Sequence, residues 1–246
     1  MDKKIIFISI FLLFISISGY CAANFNGIDS TIQLPAVDNY LVLFQTRPFS
    51  VCGWIKPRNP ADGKNNIMGT WTATNNVFTL MVHAENKITV YLYKQNAIGW
   101  IIYSPVIPKY NVWYHFAFTY NGTTGICYLN GVPGTPDTVP FVDAIGVAHS
   151  WELGSLNANT KWGDMLLADI RVYNGTVLSP ARISWIMKNF GVQDSGLTIH
   201  WKLDKDHKDS SIYKWGCSPV GVAFPATSII AVDNPPTYFE QDNQKD

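Results

Sequence analysis

The 246 residues carry 18 lysines and arginines against 18 aspartates and glutamates, and 47% of the chain is hydrophobic. That length suits one sizeable core rather than two, and a net charge of zero supplies no field that would draw the chain to phosphate backbones or anionic membranes, which speaks against nucleic acid as a partner. Charged residues make up 15% and aromatics 14%, with Asn, Thr and Gly plentiful, a balance that points to a secreted all-β protein.

Residues 1–23 pair Lys3 and Lys4 with an apolar and serine-rich run from Ile5 to Ile17, then small residues ending at Ala23. This is the pattern of a signal peptide, with cleavage expected after Ala23 and a mature chain beginning at Asn24. As a helix the run would span only about 20 Å, against about 30 Å for a bilayer core, so no stable membrane insertion is expected once it is removed. The mature chain keeps Cys52, Cys127 and Cys217, an odd number in an oxidising compartment. Because Cys52 and Cys127 both fall in strand-like sequence, a bridge between them is the first expectation, with Cys217 left over. Pairing of Cys217 with one of the others, or three buried free thiols, stays open.

From Ile32 to Val172, strand-like runs alternate with turn residues every eight to twelve positions, as in a sandwich. "FSVCGWIKP" (49–57), "VFTLMVHAE" (77–85), "KITVYLYKQ" (87–95) and "GWIIYSP" (99–105) are rich in β-branched and aromatic residues, and the last three read as an antiparallel meander. In "WYHFAFTY" (113–120), Tyr114, Phe116, Phe118 and Tyr120 share one face, and Trp113, His115, Ala117 and Thr119 the other. Both faces are largely apolar, so this strand belongs in mid-sheet with cover on each side. "GICYLNGV" (125–132) returns beside it, and Asn130-Gly131 makes the next tight turn. Ile183, Ile186, Met187 and Phe190 then form one stripe of a short surface helix within Ser179–Gly191, capped by Ser179 and opened by Pro180. Residues 233–246 lack periodicity and read as a frayed tail.

The 113–132 hairpin resembles the signature of laminin-G-like domains, Trp-Tyr-His-Val-Ala-x-Thr-Tyr-Asp-Gly followed by Leu-Tyr-Val-Asn-Gly. Four further segments resemble that family in order: Phe25-Asn26-Gly27-Ile28-Asp29, "FSVCGWIKP", "WELGS" (151–155) and "LADIRVYNGTVLSPARI" (167–183). The resemblance implies a concanavalin A-like jelly-roll sandwich of two antiparallel sheets with one short surface helix over residues 24–192, with ligands met at rim loops or the concave side. "SGLTIHWKLDKDHKDSS" (195–211) is similar to a segment that ordinarily precedes the first strand of such domains. Within 193–232 it reads as a C-terminal strand extension that completes the sandwich, a truncated second repeat being the alternative; a lone apolar strand left unpaired would invite aggregation.

The resemblance also implies a calcium site of oxygen ligands at Asn26, Asp29 and Asp169. Asn26 replaces the usual aspartate, and the competing expectation is a turn at Asn26–Asp29 with Asp169 paired to Arg171. For carbohydrate, which needs a ring platform flanked by polar groups, the candidates are Trp71, Trp100 and Trp162 with Asn157 nearby. Each is weighed against ordinary rim or core packing. Asn121 and Asn174 head Asn-x-Thr glycosylation sequons in expected turns. Glu85, Glu152 and Glu240 are the only glutamates and lack the clustered spacing a glycosidase strand requires. Nucleophile elbows, metalloprotease motifs and phosphate loops are also missing, so no enzyme is expected. The expectation is a secreted, non-catalytic module that binds a glycan or an extracellular protein, a purely structural or adhesive surface protein being the alternative.

Overall fold

The computed structural model describes residues 21–33, 48–58, 65–70, 77–83, 86–93, 99–107, 109–138, 151–156 and 162–224. In chain order the strands are β1 (Ala23–Asn26), β2 (Thr31–Gln33), β3 (Phe49–Pro57), β4 (Asn65–Thr70), β5 (Val77–His83), β6 (Lys87–Tyr93), β7 (Trp100–Val106), β8 (Tyr114–Tyr120), β9 (Thr124–Leu129), β10 (Val132–Pro133), β11 (Asp137–Thr138), β12 (Glu152–Leu153), β13 (Asp164–Asn174), β14 (Leu197–Trp201) and β15 (Ser218–Val220). Helix α1 (Pro180–Lys188) lies between β13 and β14.

Two antiparallel sheets result. The first runs β1-β13-β3-β8-β9-β10, with β14 beside β1 on the same edge of β13 and β11 on β9. The second runs β15-β2-β12-β4-β5-β6-β7, in which β5, β6 and β7 form the expected meander. Facing side chains fill the space between them. Tyr114, Phe116, Phe118 and Tyr120 of β8 enter this main core with Phe49, Phe78, Leu80, Val90, Ile102, Cys127 and Trp151. Aromatic contacts, Phe49 to Phe78 edge-on at 5.8 Å and Phe78 to Phe118 tilted at 6.1 Å, knit the two sheets together.

The opposite face of the first sheet is covered by α1. Ser179 caps the helix by accepting the Arg182 N–H at 3.2 Å, Pro180 occupies the first turn, and Ile183 and Ile186 are buried. They pack with Cys52, Ala117, Tyr128, Tyr173 and Leu197 in a second apolar cluster. This explains why β8 is apolar on both faces: one looks into the sandwich and the other into the helix layer.

The same division corrects the expected Cys52–Cys127 disulfide. Cys52 lies opposite Ala117 and under α1, whereas Cys127 lies opposite Phe118 and in the main core, so the two thiols leave the sheet on opposite faces. Their strands are also separated by β8, about 9.5 Å apart, beyond the reach of a disulfide. No disulfide joins Cys52 and Cys127, and burial pushes both thiols far up from their ordinary range.

At the N-terminal end, Ala23 pairs with Leu167 in β1, and Ala22 is buried with Trp54, Ala168 and Phe190. The expected cleavage point after Ala23 therefore falls inside a strand. At the other end β14 lengthens the first sheet and β15 pairs with β2, so the segment after α1 crosses from one sheet to the other along one flank.

Candidate functional site

A concavity lies on the far flank, where β7 ends the second sheet and β10 and β11 both pair with β9 of the first. The connection between β10 and β11 is thrown across toward β7. Gly134 donates its N–H to the Cys127 carbonyl at 2.7 Å and lies so close to Tyr103 that a Cβ would stand 2.1 Å from that residue's carbonyl oxygen. Only glycine permits this approach. The cleft beside it encloses about 400 Å³, lined by Lys87, Tyr103, Ser104, Pro105, Thr135 and Asp137, within the range of small-ligand sites.

Strand alternation places Tyr103 on the outward face of β7 opposite Thr89, with its ring half-exposed. The Lys87 ammonium lies over one face of the ring, 4.9 Å from its centroid, a cation–π contact that fixes the ring and leaves its other face for a ligand. The cleft thus offers an aromatic face, an ammonium, a hydroxyl and a carboxylate. Such a set can stack an apolar ring face and hydrogen-bond the groups around it. Sequence reasoning missed it because the cleft draws on separate strands: the pairing of β6 with β7 sets Lys87 beside Tyr103, and the Gly134 approach brings the β10–β11 connection, with Asp137, to them.

The candidates named from sequence are distributed differently. Trp100 lies opposite Leu92 on the inward side of β7 and packs against the main core, so it is no platform. Trp162 is half-buried just before β13, next to Gly163, which donates to the Gly154 carbonyl and accepts from the Gly27 N–H. Trp71 and Asn157 lie outside the described residues. Asn121 is exposed, and its Oδ1 accepts the Thr123 and Thr124 N–H groups at 2.9 and 2.7 Å. Asn174 is less open: its N–H donates to Thr198 Oγ1 at 3.0 Å and its own Oδ1 is buried.

Asn26, Asp29 and Asp169 do not converge. Asn26 Oδ1 accepts the Ile28 and Asp29 N–H groups at 2.9 and 3.1 Å, and Asn26 Nδ2 donates to Asp29 Oδ1 at 2.7 Å. The β13 residue opposite Asn26 is Asp164, and Asp169 lies five positions further on, about 16 Å along the strand. The cation at the β1–β13 junction belongs to the protein: the Arg58 guanidinium reaches Asp164 Oδ1 at 2.8 Å, Asn24 Oδ1 at 2.9 Å and the Phe25 carbonyl at 3.3 Å. Among the described residues no group of three or more His, Cys, Asp or Glu side chains is placed to hold a metal. The residues expected to bind calcium therefore do not fit it.

Asp169 instead anchors a buried network behind the first sheet. It sits in a bulge of β13 at φ 52°, its N–H held by the Lys202 carbonyl at 2.9 Å. Its carboxylate accepts from His200 Nε2 at 2.7 Å and from Arg171 Nε and Nη2 at 3.1 and 2.9 Å, and Arg171 also reaches the Asn189 carbonyl at 2.9 Å. All three side chains are fully buried. Burial alone would raise the Asp169 pKa, but the His200 hydrogen bond and the Arg171 charge outweigh it and hold the carboxyl below its usual range. Nearby, His115 packs edge-on to Trp54 at 5.4 Å with neither ring nitrogen hydrogen-bonded, and burial pushes its pKa down to about 3. Enclosed beneath the helix layer, the cluster is structural.

A two-sheet jelly roll with one covering helix and a small mixed cleft at its rim defines a lectin-like scaffold. The chain belongs to the laminin G-like family of the concanavalin A-like lectin/glucanases superfamily, whose family model matches residues 26–184. No curated protein matches the sequence significantly. Among solved structures, a SAP-like pentraxin from Limulus polyphemus is 18% identical at a TM-score of 0.56, over 81% of this chain and 94% of the pentraxin. A Bacteroides ovatus protein assigned as carbohydrate binding is 15% identical at 0.62, over 84% of this chain and 60% of its own. Domain 4 of AbnA, an extracellular arabinanase from Geobacillus stearothermophilus solved with arabinotriose, is 24% identical at 0.52, over 67% of this chain and 75% of that one. These likenesses show the shared fold.

Proposed function

We propose that this chain is a secreted, non-catalytic recognition module that binds neutral carbohydrate in the cleft between β7 and the β10–β11 connection. The observation that carries the reading is the Tyr103 ring, fixed by Lys87 and bordered by Thr135 and Asp137 within one 400 Å³ cleft. The C–H face of a sugar stacks on such a ring while its hydroxyls meet the surrounding polar groups. The reading is supported by the fold likeness to a Bacteroides ovatus protein assigned as carbohydrate binding and to an arabinanase domain solved with arabinotriose. Secretion is supported by the character of residues 1–23, and no helix of the described residues is long and apolar enough to cross a membrane. Support for a non-catalytic role comes from Glu152, the one glutamate among the described residues, which is buried and accepts the Ser155 hydroxyl at 2.5 Å.

A glycan array run with calcium and with chelator tests this. Binding in both arms that is lost on Tyr103→Ala is the expected result. Silence of the wild-type chain in both arms would overturn the reading in favour of an extracellular protein partner or a structural role.

A further inference from the structure

We propose that the turn 211–216 presents a second carbohydrate-stacking platform, made by the Tyr213 ring lying on Trp215, on the flank opposite the cleft. The proposal rests on the glycan reading above and adds a separate site to it.

The turn joins β14 to β15, the strands that edge the two sheets on the side away from β7 and β10. Its two rings stack with centroids 5.4 Å apart and planes 9° from parallel. Trp215 is clamped from below: its indole N–H donates to the Thr198 carbonyl and its backbone N–H to Asp209 Oδ2, both at 3.0 Å. Asp209, only 4% exposed, also accepts the Ser211 N–H at 2.8 Å, the Ser211 hydroxyl at 2.6 Å and the His200 N–H at 2.8 Å. Ser211 Oγ in turn accepts the Tyr213 N–H at 3.2 Å.

A buried carboxylate costs free energy unless hydrogen bonds replace its hydration. Here all four of those bonds go to this turn and the strand beneath it. What they hold in place remains in solvent, Ile212 at 83% exposure and Tyr213 at 54%. Lys214 between the rings adopts a left-handed φ of 53°, a strained conformation for a lysine. Trp215 itself packs against the main core, whereas the Tyr213 ring stacked on it belongs to none of the apolar clusters, so core packing accounts for the lower ring and not for the exposed one.

Preorganisation for a ligand does account for it. A ring already immobilised loses little conformational entropy on binding, and rigid support of a contact residue is what a recognition site requires. Polar donors border the platform: Lys214 Nζ and Gln193 Nε2 both reach the Ser210 carbonyl, at 3.4 and 2.5 Å. A flat aromatic face with donors at its margin matches a pyranose or furanose ring, whose C–H face stacks while its hydroxyls point outward. Two such sites on opposite flanks would let one chain bridge two polysaccharide strands.

Isothermal titration of the full chain with arabinotriose, xylotriose, cellotriose and chitotriose tests the platform. The expected result is that Tyr213→Ala weakens at least one interaction tenfold or more, while Tyr213→Phe stays within threefold of wild type and Tyr103→Ala leaves that same interaction in place. The exposed ring can be removed without unfolding the chain, so an unchanged melting temperature accompanies the loss. Wild-type binding that is equal in Tyr213→Ala for every trisaccharide overturns the platform alone. A wild-type chain that binds none of the four removes the glycan reading, and the platform with it.

Discussion

His200 Nε2 stands 2.7 Å from Asp169 Oδ1 with both side chains fully buried, and Arg171 grips the same carboxylate from two positions further along β13. Removing one partner strands a buried charge, whereas replacing several with apolar groups of like volume removes the charges together. Asp169→Leu is therefore expected to cost about 3–5 kcal/mol, and Asp169→Leu with Arg171→Met less than the sum of the single changes. Urea denaturation of the three variants checks this; additive losses would show that the network does not act as a unit.

His115 makes stability depend on pH. Its pKa falls from 6.5 in the unfolded chain to about 3 in the fold, so between those values the unfolded state binds the extra proton. The stability that comes from burying the neutral ring is complete above pH 6.5 and is lost as pH falls toward 3, at up to about 1.4 kcal/mol per pH unit. His115→Phe should flatten this part of the profile. Asp169, with its pKa held low, adds a further loss at more acid pH. Parallel wild-type and His115→Phe stability curves from pH 7 to 4 would contradict the assignment.

Arg58 supplies the cation at the β1–β13 junction, so calcium and chelator are expected to leave the melting temperature of the wild-type chain unchanged. Arg58→Ala should lower stability by about 1 kcal/mol, a modest cost because the Arg58–Asp164 pair is partly exposed. A calcium-dependent rise in the wild-type melting temperature would show a metal site elsewhere in the chain.

Much of the sandwich could be read directly from the residues. The alternation in 113–120 correctly divides Phe116 and Phe118 from Ala117, and Ser179-Pro180 marks the start of α1, because both signals act within a few residues of themselves. The sites were harder to read. Trp100 carries the same side chain whether it faces solvent or core, and one step of register decides between them. The family resemblance made Asp169 a ligand candidate, and the competing pairing with Arg171 is the one found; the part of His200 was not legible, because the bulge that turns Asp169 toward it leaves no mark in the sequence. Tyr213 and Trp215, two positions apart, stack only because Asp209 shapes the turn between them.

Ala22 and Ala23 are buried at the start of β1, so a chain beginning at Asn24 should be less stable than one beginning at Cys21. Two lost methyl contacts amount to about 1.5 kcal/mol. Chemical denaturation of the two forms measures the difference, and identical midpoints would show that β1 holds without them.

The crossing of the final segment from β14 to β15 has a bearing on biosynthesis. β13 lacks its β14 neighbour until residue 201 has left the ribosome and β2 its β15 neighbour until residue 220, while β1 must itself wait for a partner made more than a hundred residues later. A nascent chain whose borders close last cannot reach its native form early. That delay leaves unpaired backbone open to mispairing until the last strands are made.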